Sequence, residues 1–288
     1  MKPQNLGPHV RAGVRRFGMA LVLGALLAGC QSPHVALQEL ANTHQQRLEI
    51  LDTSPFSLLL GVPLVAPTST RLRIYLEGDG RAWATPSQPS LDPSPRNLLV
   101  ARLAFADPQP SLYLARPCQF VSAPGCQPLL WTDRRFSAEV LDSLDAALTR
   151  IKSIYGNQTF ELIGYSGGGA LALLLAERRD DVAQVQTLAG NLTPRHWVKL
   201  QKLSELKGSL EPLDYRQRLV KLPQRHFTGS ADRIVPTSLL RFYQAELGPA
   251  QCLDSIELPG VSHNEGWERA WETWRAQALK CVEQPQVK

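Results

Sequence analysis

The chain has 288 residues, of which 43% are hydrophobic and 20% are charged. This composition suits one large globular domain and excludes a disordered chain. The formal net charge is +5, but residues 1–29 hold no acid and four basic residues: Lys2, Arg11, Arg15 and Arg16. The rest of the chain is therefore almost neutral, and its charge does not favour nucleic acid as a partner.

The first 30 residues have the layout of a secretory signal. A basic segment ending at Arg16 precedes an apolar run over residues 17–28, which is too short to cross a bilayer as a free helix. Residues 27–30 read Leu-Ala-Gly-Cys, which resembles the bacterial lipobox. That resemblance implies removal of residues 1–29 as a signal peptide and lipidation of Cys30. The alternative is an ordinary signal peptide followed by an incidental cysteine.

Beyond the leader, apolar periodicity predicts strands that alternate with helices. A polar tether leads into an amphipathic helix over residues 35–51. Later strands are predicted over residues 56–60, 72–77, 111–115, 160–164, 182–188, 224–228 and 253–258. Later helices are predicted over residues 95–105, 138–155, 170–176, 236–247 and 266–281. Such alternation implies a mainly parallel sheet with helices on both faces.

The sequence TFELIGYSGGGALALLL at residues 159–175 carries the most specific functional signal. It predicts a buried strand, a sharp turn with Ser166 at its apex, and then a helix, the arrangement called a nucleophile elbow. Gly164 and Gly168 leave room where strand and helix cross. The Gly167 amide lies at the helix N-terminus, where unpaired N–H groups attract an oxyanion. The alternative is a chance G-x-S-x-G pattern in a loop, but the flanking strand and helix favour the catalytic interpretation.

With this motif the chain resembles the α/β hydrolases over roughly residues 71–281, and its leader makes it similar to α/β-hydrolase lipoproteins of Gram-negative bacteria. The resemblance implies a mainly parallel central sheet, helices on both faces and a small cap insertion at about residues 191–222. The expected organisation is a signal peptide (1–29), a tether with an N-terminal helix and strand (30–70) and a catalytic domain (71–288). No metal and no organic cofactor is expected.

A serine nucleophile needs a histidine base and a carboxylate that orients it, and in this fold they follow the serine in the order acid, histidine. His263 lies in the loop after the last predicted strand, where the fold presents its base. By contrast, His226 falls inside a strand and His196 in the cap insertion. Asp232 follows a predicted strand at the carboxyl edge of the sheet, where catalytic groups of open α/β sheets gather. The alternative for Asp232 is a turn residue paired with Arg233.

Two backbone N–H groups are needed to stabilise the oxyanion. We expect one from Gly167. The other is expected from the loop over residues 77–80, Glu-Gly-Asp-Gly, where Asp79 and Gly80 remain alternatives. A carboxylate of Asp79 that faced inward would oppose the oxyanion. Either Arg81 pairs with that carboxylate, or the carboxylate binds a hydroxyl or amine of the substrate.

Two aromatic residues next to these motifs are candidates for substrate binding. Trp83 follows the 77–80 loop and is a candidate pocket wall, and Tyr165 precedes the nucleophile.

The cysteines suit an oxidising compartment. Setting Cys30 aside leaves an even number, for which three pairings are possible: Cys118, Cys126, Cys252 and Cys281. We predict local pairing, 118 with 126 and 252 with 281, and expect the second bridge to steady the loop that carries His263. Four free thiols are the alternative, and no cysteine spacing indicates a zinc site.

Together these features predict a lipid-anchored serine hydrolase that acts on carboxylic esters through an acyl-enzyme. Because Gln31 rather than Asp follows the lipobox cysteine, the resemblance implies an outer-membrane lipoprotein that faces the periplasm or the cell surface. Its expected partners are a small-molecule ester and the membrane that holds its lipid anchor. The alternatives are a peptidase or acyltransferase of the same fold, or a lipoprotein that binds without catalysis. The sequence makes no prediction of oligomeric state.

Overall fold

The computed structural model describes residues 32–279 and 281, so the predictions for the leader and for Cys30 lie outside the described residues. The α-helices are α1 (Pro33–Thr43), α2 (Leu99–Phe105), α3 (Ala138–Tyr155), α4 (Gly167–Arg178), α5 (Pro194–Leu200), α6 (Arg216–Leu219), α7 (Thr237–Leu247) and α8 (Trp267–Trp274). The strands are β1 (Gln46–Leu51), β2 (Leu58–Pro63), β3 (Arg71–Leu76), β4 (Trp83–Thr85), β5 (Gln88–Pro89), β6 (Ser111–Leu114), β7 (Thr159–Tyr165), β8 (Val182–Leu188), β9 (Gln224–Gly229) and β10 (Leu253–Leu258).

Eight of these strands form one sheet in the order β1-β2-β6-β3-β7-β8-β9-β10. From β6 to β10 every neighbouring pair in the sheet is parallel, whereas β2 is antiparallel to both β1 and β6. The predicted α/β class and the mainly parallel central sheet are confirmed. Because the parallel strands share one direction, the loops after β3, β7, β9 and β10 all open at the same edge of the sheet.

Both faces of the sheet are covered, because successive side chains of a strand point to opposite sides. Ile74 of β3 is buried in a hydrophobic core with Leu144 of α3. Its neighbour Tyr75 is buried in a second core with Leu37 of α1 and Trp271 of α8. The two cores hold the sheet rigidly between its helices, and this places the loops at its carboxyl edge on a fixed frame.

The amino-terminal region differs from its prediction. The helix expected over residues 35–51 ends at Thr43, and Gln46–Leu51 instead pairs residue for residue with β2. This strand lies at the edge of the sheet and shows little alternation of burial, so its apolar positions fit a helical spacing as well as an extended one. Residues 46–63 therefore belong to the same sheet as the domain predicted to begin at residue 71.

Three further boundaries differ. The hairpin of β4 and β5 falls in a stretch for which the sequence predicts no element, α2 begins at Leu99 rather than near Pro95, and α8 ends at Trp274 rather than at residue 281. Between β8 and β9 the insertion holds α5, α6 and a short 3-10 turn at Pro212–Tyr215. Within residues 32–279, no helix is both long and apolar enough to cross a membrane.

The four cysteines outside the leader are paired as predicted. Cys118 and Cys126 form a bridge in the loop after β6, and Cys252 and Cys281 form the second. Cys252 directly precedes β10, so the second bridge lies at the amino edge of the sheet. His263 follows the other end of β10, so the bridge lies at the opposite end of this strand from the loop that we expected it to steady.

Candidate active site

The turn between β7 and α4 has the geometry of a nucleophile elbow. Ser166 has φ of 52° and ψ of −121°, a backbone conformation that is strained for any residue with a side chain and that thrusts its hydroxyl outward. The turn requires glycine on both sides. A Cβ at Gly164 would lie 2.3 Å from the Gly168 carbonyl oxygen, and a Cβ at Gly168 would lie 2.5 Å from the Leu76 carbonyl oxygen.

The structure brings together the three residues predicted to form a triad. Nε2 of His263 lies 3.1 Å from Oγ of Ser166, and Nδ1 of the same ring lies 2.8 Å from Oδ2 of Asp232. The Asp232 side chain is 0% exposed, and its Oδ1 accepts hydrogen bonds from the amides of Ile234 and Val235. These residues follow β7, β9 and β10, so three loops converge at the carboxyl edge of the sheet. The arrangement can transfer the serine proton to a fixed imidazole.

The loop that carries His263 is held by two buried aromatic residues. The Tyr165 hydroxyl donates to the His263 carbonyl oxygen at 2.7 Å and contacts Asn264 Oδ1 at 3.2 Å. Trp267 Nε1 donates to the same carbonyl oxygen at 2.9 Å. The substrate contact expected from its position next to Ser166 stays a prediction, whereas the structure shows that the buried Tyr165 supports the His263 loop. Its sequence position offered no sign of this, because His263 lies far along the chain.

Unpaired backbone N–H groups lie next to Ser166. Gly167 begins α4, and the first N–H groups of a helix have no partner within it. In the 77–80 loop, the Gly78 amide donates to its neighbour Glu77. In the part of the chain that the structure describes, the amides of Asp79 and Gly80 donate to no protein group. Neither predicted second donor is therefore engaged by a protein group among the described residues.

Comparison with known proteins gives similarity at the level of fold. No protein-family model and no curated protein sequence matches the chain. An esterase of Pyrococcus furiosus is similar with a TM-score of 0.59 at 12% identity, covering 86% of this chain and 93% of that chain. The protein TT1662 of Thermus thermophilus has a TM-score of 0.52 at 19% identity, over 76% and 90% of the two chains. An alpha-beta serine hydrolase homologue of Coxiella burnetii has a TM-score of 0.50 at 13% identity, over 80% and 93%.

These similarities indicate the same fold as the order of the strands in the sheet and the geometry of the nucleophile elbow. The chain has the α/β-hydrolase fold. In this fold the nucleophile, the acid and the histidine are expected after the strands that β7, β9 and β10 represent here, and Ser166, Asp232 and His263 occupy those places.

One of the expectations was that Arg81 pairs with the Asp79 carboxylate. In this α/β-hydrolase fold it does not. Instead, Arg116 Nη1 donates to its Oδ1, and Arg135 Nη1 donates to its Oδ2 at 2.7 Å. Burial alone would raise the pKa of Asp79. The charges of Arg135 and Arg116 and their hydrogen bonds outweigh burial, so the pKa is lowered and the carboxylate stays ionised. Neither arginine stood out in the sequence, because each is distant from Asp79 along the chain.

A second carboxyl group, that of Glu77, lies beneath the same loop. It is buried and accepts hydrogen bonds from the Gly78 amide at 2.9 Å and the Tyr113 hydroxyl at 2.8 Å. Burial raises the pKa of Glu77 to about 7, although both hydrogen bonds and the charge of Arg116 act in the opposite direction. Sequence reasoning treated Glu77 only as the start of the loop.

The other candidates lie apart from the triad. His226 is buried in β9 between Thr187 and Gln224, and burial lowers its pKa to about 3, so it stays neutral as a structural residue. His196 stacks on Phe242 with ring centroids 3.7 Å apart. Trp83 lies in the hairpin that follows the 77–80 loop and is 40% exposed. Its contact with substrate stays a prediction.

Proposed function

We propose that this protein is a serine hydrolase that cleaves carboxylic esters through a covalent acyl-enzyme. The observation that carries the proposal is the continuous hydrogen-bonded path from Ser166 through His263 to the buried carboxylate of Asp232. Unpaired amides beside the serine support it, because acyl transfer needs N–H donors where negative charge develops.

In the first half of the reaction, Ser166 Oγ attacks the ester carbonyl carbon while His263 Nε2 takes the hydroxyl proton. The carbonyl oxygen becomes an oxyanion that accepts hydrogen bonds from Gly167 and from Asp79 or Gly80. When the tetrahedral intermediate collapses, the bond to the alkoxy oxygen breaks and His263 returns its proton to the leaving alcohol. Asp232 stabilises the imidazolium that forms between these two transfers.

In the second half, water replaces the alcohol. His263 takes a proton from the water as its oxygen attacks the acyl carbon, and a second oxyanion forms at the same amides. Collapse breaks the bond to Ser166 Oγ, which recovers its proton from His263, and the carboxylic acid leaves. The preference for esters is supported by the esterase among the structures of similar fold, a likeness of fold rather than of substrate.

An ester-hydrolysis assay tests this proposal. We expect the purified protein to release p-nitrophenol from p-nitrophenyl esters, and Ser166→Ala to lose this activity by several orders of magnitude while its circular dichroism is unchanged. Ser255→Ala, which changes an exposed serine of β10, serves as the matched control and should behave like the wild type. Near wild-type turnover by Ser166→Ala would show that another group is the nucleophile.

We also propose that Cys30 anchors the enzyme to the outer membrane through lipid, facing the periplasm or the cell surface. The support is the sequence at residues 27–30. Ser32 caps α1, and its Oγ accepts from the Val35 amide at 3.3 Å. Because Gln31 alone separates Cys30 from Ser32, such an anchor would hold the hydrolase close to the bilayer.

The anchor is tested by palmitate labelling of cells that express the full chain. Cys30→Ser should abolish incorporation of the radiolabel and leave the protein unprocessed or soluble. Equal incorporation by the variant and the wild type would refute lipidation at Cys30.

A further inference from the structure

The Asp79 carboxylate lies directly over the first residue of α4. A Cβ built on Gly167 would stand 2.1 Å from Asp79 Oδ1, so position 167 has room only for glycine. The same carboxylate is thus next to the residue that follows the nucleophile, where the reaction develops negative charge. An unopposed carboxylate at this place would disfavour the oxyanion by like-charge repulsion.

Two buried arginines oppose that charge. The Arg116 side chain is 5% exposed and the Arg135 side chain 6% exposed, and both pair with Asp79. Arg116 Nη2 also donates to the Arg135 carbonyl oxygen, and Arg135 Nε donates to the Thr132 carbonyl oxygen at 2.6 Å. These additional hydrogen bonds fix the orientation of each guanidinium, as a planar group with several donors allows.

Aromatic rings fix the two guanidinium groups from another side. Arg116 lies over the ring of Phe136 at 5.5 Å from its centroid, and Arg135 lies over the ring of Trp197 at 6.0 Å. Trp197 belongs to α5 in the insertion. The insertion therefore reaches the 77–80 loop through Arg135.

A second connection holds the same loop by its backbone. Gln119 Nε2 donates to the Gly78 carbonyl oxygen at 3.0 Å, and Gln119 Oε1 accepts from the Arg116 amide at 3.1 Å. The loop is thus fixed at the carbonyl of Gly78 and at the side chain of Asp79, and no protein group among residues 32–279 and 281 accepts from the N–H groups of Asp79 and Gly80.

We propose that Arg116 and Arg135 are positioning residues for the oxyanion site. They neutralise the Asp79 carboxylate beside Gly167, and they hold the 77–80 loop so that its unpaired N–H groups face the oxygen of the substrate. The inference rests on the proposed serine hydrolase function. The two guanidinium groups of Arg116 and Arg135 carry one more charge than the Asp79 carboxylate that they share, and this excess positive charge stabilises the oxyanion.

Neutralisation of Asp79 predicts an outcome that a merely structural ion pair does not. In Arg135→Gln the Asp79 carboxylate keeps Arg116 as its single partner. The group formed by Asp79 and its arginine partners then loses its excess positive charge. In the double variant Asp79→Asn with Arg135→Gln the carboxylate is removed as well. The double variant should therefore be more active than Arg135→Gln alone, although it lacks one more native group.

The experiment measures kcat and KM for p-nitrophenyl acetate, and the inhibition constant of an alkyl boronic acid that mimics the tetrahedral intermediate on Ser166. For Arg135→Gln we expect kcat to fall by roughly ten- to a hundredfold, KM to change less than about threefold, and the boronic acid to bind more weakly by a factor close to that in kcat. The double variant should recover part of both losses.

Arg73→Gln is the matched control. Arg73 is a partly buried arginine that pairs with two carboxylates, Asp107 and Glu161, but it lies in β3 at the amino edge of the sheet. Its loss should lower the melting temperature with little effect on kcat or on boronic acid affinity. If Arg135→Gln does not fold, Arg135→Lys is measured in its place, because it keeps the charge and loses only part of the hydrogen bonding. Arg135→Lys should bind the boronic acid more tightly than Asp79→Asn, which loses the side chain that anchors the 77–80 loop.

Two results would overturn the inference: boronic acid affinity in Arg135→Gln that falls no further than in Arg73→Gln, or a double variant less active than Arg135→Gln. Failure of the proposed function has a different signature, since the wild type itself would then neither hydrolyse the ester nor bind the boronic acid.

Discussion

The His263 imidazole is hydrogen-bonded through Nδ1 to a carboxylate, that of Asp232, which has no exposed surface. Because the other oxygen of this carboxylate accepts two backbone amides, Asp232 cannot turn away from the ring. The pairing therefore sets the tautomer of His263: hydrogen on Nδ1 and an acceptor lone pair on Nε2, toward Ser166.

Asp232→Asn should remove that control without changing the shape of the site. The two backbone amides keep the amide oxygen on their side, so the NH₂ group faces His263 Nδ1 and forces the hydrogen onto Nε2. We expect kcat for p-nitrophenyl acetate to fall by roughly a thousand- to ten-thousandfold. Asp254→Asn, at an aspartate paired with Arg225, is the control. Comparable activity of the two variants would exclude Asp232 as the orienting acid.

Much of the fold could be predicted because periodicity and local signals agree there. Helix α3 is an example, with Gly156 in a left-handed conformation at its end, and β8 and β10 begin and end where predicted. Strand β1 was missed because an edge strand with weak alternation resembles a helical pattern. Its partner β2 decides the conformation through backbone pairing, which no local window of sequence contains.

The triad could be predicted for a similar reason, since its members follow strands in a known order. The residues around it could not. Arg116, Arg135 and Gln119 reach the 77–80 loop only through the packing of distant segments, and Tyr165 reaches the His263 loop in the same way. Spacing in the sequence identifies the groups that react, whereas tertiary contacts decide which groups hold them.

The two disulfide bridges should affect different properties. Cys252 and Cys281 are 29 residues apart and Cys118 and Cys126 are 8 apart, so the longer loop should contribute more stability, with each bridge worth about 2–4 kcal/mol. Gln119, next to Cys118, holds the Gly78 carbonyl. We therefore expect Cys252→Ser with Cys281→Ser to lower the melting temperature more, and Cys118→Ser with Cys126→Ser to lower kcat more.

Thermal unfolding and ester hydrolysis, measured on both double variants, check this prediction. A larger loss of kcat in the 252/281 variant would contradict the placement of that bridge at the amino edge of the sheet. Peptide mapping without reductant should first establish the pairing, and a linkage of Cys118 to Cys252 would invalidate the comparison and the predicted pairing together.

Glu77 should make stability depend on pH. Burial raises its pKa in the folded protein to about 7, above an unfolded value of about 4.3. The native state therefore binds this proton more tightly, and the stabilisation is complete below pH ~4 and is lost as pH rises toward 7. The loss amounts to about 4 kcal/mol at most. Tyr113 and Arg116, which face the carboxyl group, are unchanged in charge over this range.

The measurement compares wild type with Glu77→Gln by chemical unfolding between pH 5 and pH 8. The wild type should lose stability relative to the variant as pH rises. His226 acts with the opposite sign, since its folded pKa is about 3, but it titrates in both proteins and cancels in the difference. A difference in unfolding free energy that stays constant across this pH range would contradict the raised pKa.

The central claim is that Ser166 is a nucleophile activated by His263. The most direct test is to treat the protein with a fluorophosphonate, digest it and locate the adduct by mass spectrometry. We predict one phosphonyl group per chain, on the peptide that contains Ser166, and none in Ser166→Ala or His263→Ala. An unlabelled wild-type protein, or an adduct that persists at another residue in Ser166→Ala, would contradict the account.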